Sequence, residues 1–181
     1  MNSIQKNCVE KNIVVRVIDN PKNLNQAGSI NKAVSTSNNE LFIMLNADDL
    51  LAEDCVDTIV QTYSNNKEIW MLGGSSIWFE DGQKLPAHKV SPIGKLELST
   101  YGPSDIDQFT YQNAINMSQS SCSFFKGAWE LADGYYPLWK RITPYDDRDF
   151  QMRVCSLKVG VYKNYPMIFY RTTSSTGRAR I

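Results

Sequence analysis

The sequence is poor in the side chains that most metal and redox centres require. It holds one histidine, His88, and four cysteines, Cys8, Cys55, Cys122 and Cys155, with no CxxC pair among them. A zinc site built from closely spaced Cys and His is therefore excluded, and the thiols read as reduced and packed. An excess of one charge is also lacking: 19 basic side chains balance 19 acidic ones. Nucleic-acid binders usually carry a basic excess or stripe, so no nucleic-acid partner is expected. Only Arg171, Arg178 and Arg180 make a local basic concentration. No stretch approaches the roughly 20 apolar residues that span a bilayer. Met1 to Asn12 is polar, without the apolar centre of a signal peptide. These absences lead to an expectation of a cytoplasmic chain, with a peripheral place at the inner face of the membrane left open.

What is present is an ordinary globular composition, 42% hydrophobic and 21% charged over 181 residues, which suits one domain, 1–181, with one core. Ile13 to Ile18 is a β-branched run closed by Asp19-Asn20-Pro21 and reads as a buried strand. Ala27, Ile30, Ala33 and Val34 recur at helical spacing, predicting a helix over about 26–36. Leu41 to Leu45 is a second apolar run, again a strand. Strand, helix and strand at this spacing predict a βαβ unit in a mostly parallel sheet covered on both faces.

Downstream, a helix is expected with Leu51, Cys55, Val56, Ile59, Val60 and Tyr63 on one face, then a strand at Ile69–Leu72. A hairpin is expected over 76–85 with an Asp-Gly turn. The segment 86–116 has no clear period and reads as an irregular insertion, here assigned to the acceptor side. A strand over 120–125, a short helix over 129–132, a helix over 147–156 and strands at 161–162 and 167–170 complete the pattern. A polar tail occupies about 171–181.

Two acidic clusters carry the chemistry. Asn46-Ala47-Asp48-Asp49 follows the apolar strand, where open α/β sheets place their ligands. Adjacent carboxylates there suit Mg²⁺ or Mn²⁺, which take one or two carboxylates with phosphate oxygens and water. Taken alone, the same tetrapeptide is better read as a helix N-cap, and Asp49 serves as a cap in either case. The second cluster, Tyr145-Asp146-Asp147-Arg148-Asp149-Phe150, is by itself a solvated helix N-terminus with Asp146 as its cap.

Read together, the segments Asn23 to Ala33, Glu40 to Asp49 and Tyr145 to Arg153, with Phe124-Phe125-Lys126 and Asp133-Gly134-Tyr135 between them, resemble the motifs of family 2 glycosyltransferases. The resemblance implies a three-layer α/β/α GT-A domain, incomplete at its N-terminus because the family's first βαβ unit, with the acidic loop that holds the nucleotide base, has no counterpart. It implies a metal-dependent, inverting transfer of a sugar from a nucleotide diphosphate sugar to a saccharide or lipid-linked saccharide acceptor. By the same resemblance Asp48 is the metal ligand and Asp147 the general base. Asn46, Asn31, Asp49 and Gln26 contact the donor. Asp146, Trp139, Arg153 and Arg171 support the site, although Arg153 also reads as an ion-pair partner of Asp149. Asp146 beside Asp147 disfavours a second negative charge and so suits a base.

Two positions depart from the family pattern. Asn25 stands where Gly is usual and is tolerable because Asn visits left-handed backbone. Ile30 stands where some members carry Arg. The missing segment also suggests association of copies into a homo-oligomer. A remnant that binds but does not turn over is the leading alternative, and a metal-dependent phosphohydrolase is a weaker one.

Overall fold

In the computed structural model, the residues described are 13–80, 82, 98–101 and 119–172. The chain runs α1 (Asn25–Ser35), β1 (Leu41–Ile43), β2 (Leu50–Leu51), α2 (Cys55–Asn65), β3 (Ile69–Phe79), β4 (Leu98–Tyr101), β5 (Ser123–Phe125), α3 (Lys126–Leu131), a 3₁₀ turn (Leu138–Lys140), α4 (Asp146–Leu157) and β6 (Val159–Arg171). Six strands form one sheet in the order β1-β5-β3-β6-β2, with β4 also paired to β6.

Period-two alternation sends neighbouring side chains to opposite faces of this sheet. Phe42, Met71 and Phe124 face one side, where they pack with Ala27, Ile30 and Val34 of α1, Ala128 of α3, and Phe150 and Val154 of α4. Leu41, Ile43, Leu72 and Phe125 face the other side, against Cys55, Ile59 and Tyr63 of α2. The sheet is therefore covered on both faces, which is the expected three-layer α/β/α arrangement. Phe124 anchors the first core, fully buried, with Phe42 stacked at 5.8 Å and Phe150 edge-on at 5.1 Å.

The sheet is mixed, but its weight differs from the expectation of mostly parallel pairing. Among the described residues only β3 and β6 run parallel, whereas β1–β5, β3–β5, β2–β6 and β4–β6 are antiparallel. The expected strand Ile13–Ile18 is not part of the sheet, so the proposed βαβ unit is not formed among the described residues. A β-branched run becomes a strand only when a neighbour takes its backbone hydrogen bonds and a core takes one face. Here Val14 is 92% exposed and Val17 79%. Arg16 Nη1 of the segment instead donates to the Thr36 carbonyl at the end of α1 at 3.3 Å. The turn that follows is tied to the same helix: Lys32 Nζ donates to the Asp19 carbonyl at 2.5 Å, and Asn20 Nδ2 to Ser29 Oγ at 3.0 Å.

Other boundaries also moved. β3 runs through 76–79 as one strand with register shifts, so the first arm of the expected hairpin belongs to it; the second arm lies outside the described residues. The insertion 86–116 lies outside them too, apart from β4, as does the tail after Thr172. The two short strands expected near the C-terminus are one, β6. On α2 the buried positions are Cys55, Thr58, Ile59, Thr62 and Tyr63, with Val56 and Val60 exposed and Leu51 in β2, so the predicted apolar face was drawn too wide. Cys55, Cys122 and Cys155 are free and buried, as expected of packed thiols. Burial pushes the Cys55 and Cys155 thiols up to about 12, which keeps them protonated and unreactive.

Candidate functional site

The loop after β1 turns at once, with the Asp49 amide donating to the Asn46 carbonyl at 3.3 Å. The turn Gln119–Cys122, which leads into β5, lies alongside it. Met44 exchanges backbone hydrogen bonds with this turn: its N–H donates to the Cys122 carbonyl at 2.9 Å, and Ser121 N–H donates to the Met44 carbonyl at 2.8 Å. Cys122 N–H closes the turn on the Gln119 carbonyl at 3.1 Å, with Ser121 at φ 73° in left-handed backbone.

The two neighbouring aspartates of the loop have different surroundings. Asp49 is 4% exposed, and its carboxylate accepts from Ser120 Oγ at 2.5 Å, the Arg171 amide at 3.2 Å and Asn46 Nδ2 at 3.4 Å. It joins β1, β6 and the 119–122 turn from within. Asp48 is exposed, and among the described residues no donor takes its carboxylate; its backbone carbonyl accepts from Arg171 Nε at 2.9 Å. Gln26, at the start of α1, donates to Asn46 Oδ1 at 3.2 Å and to Gln119 Oε1 at 2.7 Å, so Gln26, Asn46 and Gln119 form one polar group beside Asp48. Asn25 supports this end of α1 with φ 57°, the left-handed conformation expected where the family pattern has Gly.

Asn31 stands apart from that group. Its Oδ1 accepts from Trp129 Nε1 at 2.9 Å and from the Tyr135 amide at 2.8 Å, and its Nδ2 donates to the Tyr135 carbonyl at 2.8 Å. Three of the four hydrogen bonds an amide side chain can make are thus spent on protein.

The second acidic cluster opens α4, where three acids in the first turn complement the helix dipole. Asp149 is fully buried and binds Arg153 Nη2 at 2.9 Å, and it also accepts the Ile142 amide at 2.7 Å. Arg153 stacks on Tyr136 at 3.6 Å from the ring centre and donates to the Ala132 and Gly134 carbonyls. The ion-pair reading of Arg153 is the one this geometry supports. Asp146 faces Arg141 at 3.8 Å. Trp139 is 84% exposed on the loop before α4.

Asp147 is half-buried, and its Oδ1 accepts the Arg148 amide at 2.8 Å. Burial holds its carboxyl above the ordinary aspartate range, and the charge of Asp146 pushes the same way. Asp147 in turn helps to push up the Cys122 thiol and the Tyr135 phenol, both raised chiefly by burial, so these groups share one neighbourhood. The turn Gln119–Cys122 is therefore bonded to the first acidic cluster, at Asp49 through Ser120, and its Cys122 lies within electrostatic reach of the second, at Asp147. Ser120, Gln119 and Tyr135 complete this arrangement. Sequence reading gave Ser120 no more weight than a strand residue, because the contacts that matter are made across 71 residues of chain.

Among the described residues there is no group of three or more His, Cys, Asp and Glu side chains able to hold a metal alone. One exposed, unpartnered carboxylate at Asp48 fits a Mg²⁺ or Mn²⁺ ion that takes most of its ligands from phosphate and water. It does not fit a closed, all-protein site. Among the same residues no helix is long and apolar enough to cross a membrane. The family model described as glycosyl transferase family 2 matches residues 2–131, well over half of the chain. No curated protein matches the chain.

Proposed function

The chain belongs to glycosyl transferase family 2, and from that premise we propose that it moves a sugar from a nucleotide diphosphate sugar to a hydroxyl acceptor with inversion, in polysaccharide or glycoconjugate synthesis. Membership makes it a glycosyltransferase domain of GT-A fold. The observation that supports the finer reading is the turn Gln119–Cys122, which Asp49 grips through Ser120 and whose Cys122 lies within reach of the Asp147 charge.

In this reading the Asp147 carboxylate takes the proton from the acceptor hydroxyl as its oxygen attacks the anomeric carbon. The bond from that carbon to the diphosphate oxygen breaks, its electron pair leaves with the nucleotide diphosphate, and the configuration inverts. A desolvated carboxylate with a raised pKa is a stronger base than one in water, which suits this step. Asp48 would hold a divalent cation, Mg²⁺ or Mn²⁺, which when bound would neutralise the charge on the leaving diphosphate. Asn46 and Gln26 face the donor beside Asp48, and the Arg171 guanidinium flanks the same loop. Asp49 acts from within the fold by fixing the loop that carries Asp48. Trp139 offers an exposed aromatic face on the loop that leads to the base. The acceptor is a saccharide or a lipid-linked saccharide.

A test is nucleotide release from a panel of UDP- and GDP-hexoses in Mn²⁺ with saccharide acceptors. Asp147→Asn should lower turnover by roughly 10²–10⁴-fold, the range for loss of a general base. Equal release by Asp147→Asn would remove the base from the account. Phosphate release from simple esters would favour a phosphohydrolase, and binding without any release would favour the remnant.

A further inference from the structure

We infer that Asn31 is a positioning residue for Asp147, acting through Tyr135, rather than a contact to the donor. The inference rests on the reading of Asp147 as base and adds a residue of α1 that works on that base through the core the two helices share.

The geometry begins with the end of α3. Asp133 and Gly134 both adopt left-handed backbone, φ 56° and 66°, and Gly134 N–H donates to the Trp129 carbonyl at 2.8 Å. This sharp reversal throws Tyr135 back toward α1. A Cβ on Gly134 would lie 2.8 Å from Asn31 Oδ1, so only glycine lets the chain pass this close. Asn31 then closes on both backbone polar groups of Tyr135 and on the Trp129 indole. Arg153 holds the same loop from α4, through the Ala132 and Gly134 carbonyls and its stack on Tyr136.

What the clamp fixes is the Tyr135 ring. It is 3% exposed and stacks on Phe150 of α4 at 4.2 Å with planes 19° apart. Phe150 lies three residues after Asp147 on the same helix, and the Tyr135 phenol senses the charge of Asp147 and Asp146. The groups that face Asp147 are Asp146 and Arg148 on its own helix, Cys122 before β5, and Tyr135. Tyr135 is the member of that set whose backbone N–H and C=O are both bonded by one side chain, Asn31 of α1. A shift of the clamp moves the Tyr135–Phe150 stack and with it the first turn of α4 that carries Asp147, which changes the desolvation of its carboxyl.

The experiment compares wild type with Asn31→Ala and the milder Asn31→Ser by three readings: ¹³C-carboxyl NMR titration of Asp147, calorimetry of UDP in Mn²⁺, and steady-state transfer. The expected result is a titration of Asp147 moved back toward the ordinary aspartate value of 3.8. UDP affinity should stay within about twofold, and kcat should fall roughly 10–100-fold at unchanged KM for the nucleotide sugar, as misplacement of a reacting group produces. An unmoved Asp147 titration in a folded Asn31→Ser protein overturns the inference, as does a tenfold loss of UDP affinity. If Asp147→Asn keeps full turnover while Asn31→Ser still moves the titration, the positioning stands and the base assignment falls.

Discussion

The sharpest consequence of the structure is that two adjacent aspartates should respond to mutation in opposite ways. Asp49 is buried and accepts two well-formed hydrogen bonds, from Ser120 Oγ at 2.5 Å and the Arg171 amide at 3.2 Å, with Asn46 Nδ2 more distant at 3.4 Å. Hydrogen bonds to a charged acceptor contribute about 1.5–3 kcal/mol each, and deleting the acceptor also leaves buried donors unsatisfied. Asp49→Ala should therefore cost about 3–5 kcal/mol. For a chain of this size that lowers the melting temperature on the order of 10 °C. Asp49→Asn should cost less, because an amide oxygen still accepts the Arg171 amide while Ser120 Oγ can turn to accept. Asp48 is exposed with no side-chain partner among the described residues, so Asp48→Ala should change stability by no more than about 0.5 kcal/mol. Thermal melts followed by circular dichroism, with urea titrations for ΔG, make the comparison. Equal melting temperatures for Asp49→Ala and wild type would refute the reasoning, as would a large loss for Asp48→Ala.

Two further predictions concern stability. The folded-state pKa of Asp147 is raised, so its charged form is penalised in the fold. The sign follows: its contribution to stability is fully present below the ordinary value of 3.8 and is lost as pH rises through the raised folded value. Asp147→Asn should then melt higher than wild type at pH 7 and show no difference near pH 3; a lower melting temperature at pH 7 would contradict the burial of that carboxyl. Ser121 is fully buried in left-handed backbone, and its hydroxyl has no partner among the described residues. Ser121→Gly relieves both penalties and should stabilise by about 1 kcal/mol in urea titrations; a destabilised variant would mean that the hydroxyl is satisfied in solution.

Much of this was legible in the sequence because it depends on local periodicity. Ala27, Ile30 and Val34 at helical spacing gave α1, and Phe150 with Val154 gave α4, since a buried stripe repeats every three or four residues. Asn25 in place of glycine announced a left-handed residue, and the backbone has it. Ile13–Ile18 failed because strand formation is decided by a partner, not by the run itself, and polar ties from Arg16 and the following Asp19-Asn20 turn run to α1 instead. β3 was cut short for a related reason. Gly73-Gly74-Ser75-Ser76 looks like punctuation, but pairing with β6 carries the strand through it with register shifts. In the candidate site, the acidic residues announced themselves by their clustering. Which site residues face inward did not, because the acid Asp49 and the amide Asn31 are committed by partners 71, 98 and 104 residues away.

In the proposed reaction Asp48 holds a cation with the nucleotide diphosphate while Asp147 handles only the proton. Calorimetry of UDP into wild type, Asp48→Ala and Asp147→Asn, in Mn²⁺ and in EDTA, tests it most directly. The account predicts Mn²⁺-dependent binding in wild type, the same affinity in Asp147→Asn, and none in Asp48→Ala. Binding that persists in EDTA, or that survives the loss of Asp48, would contradict it.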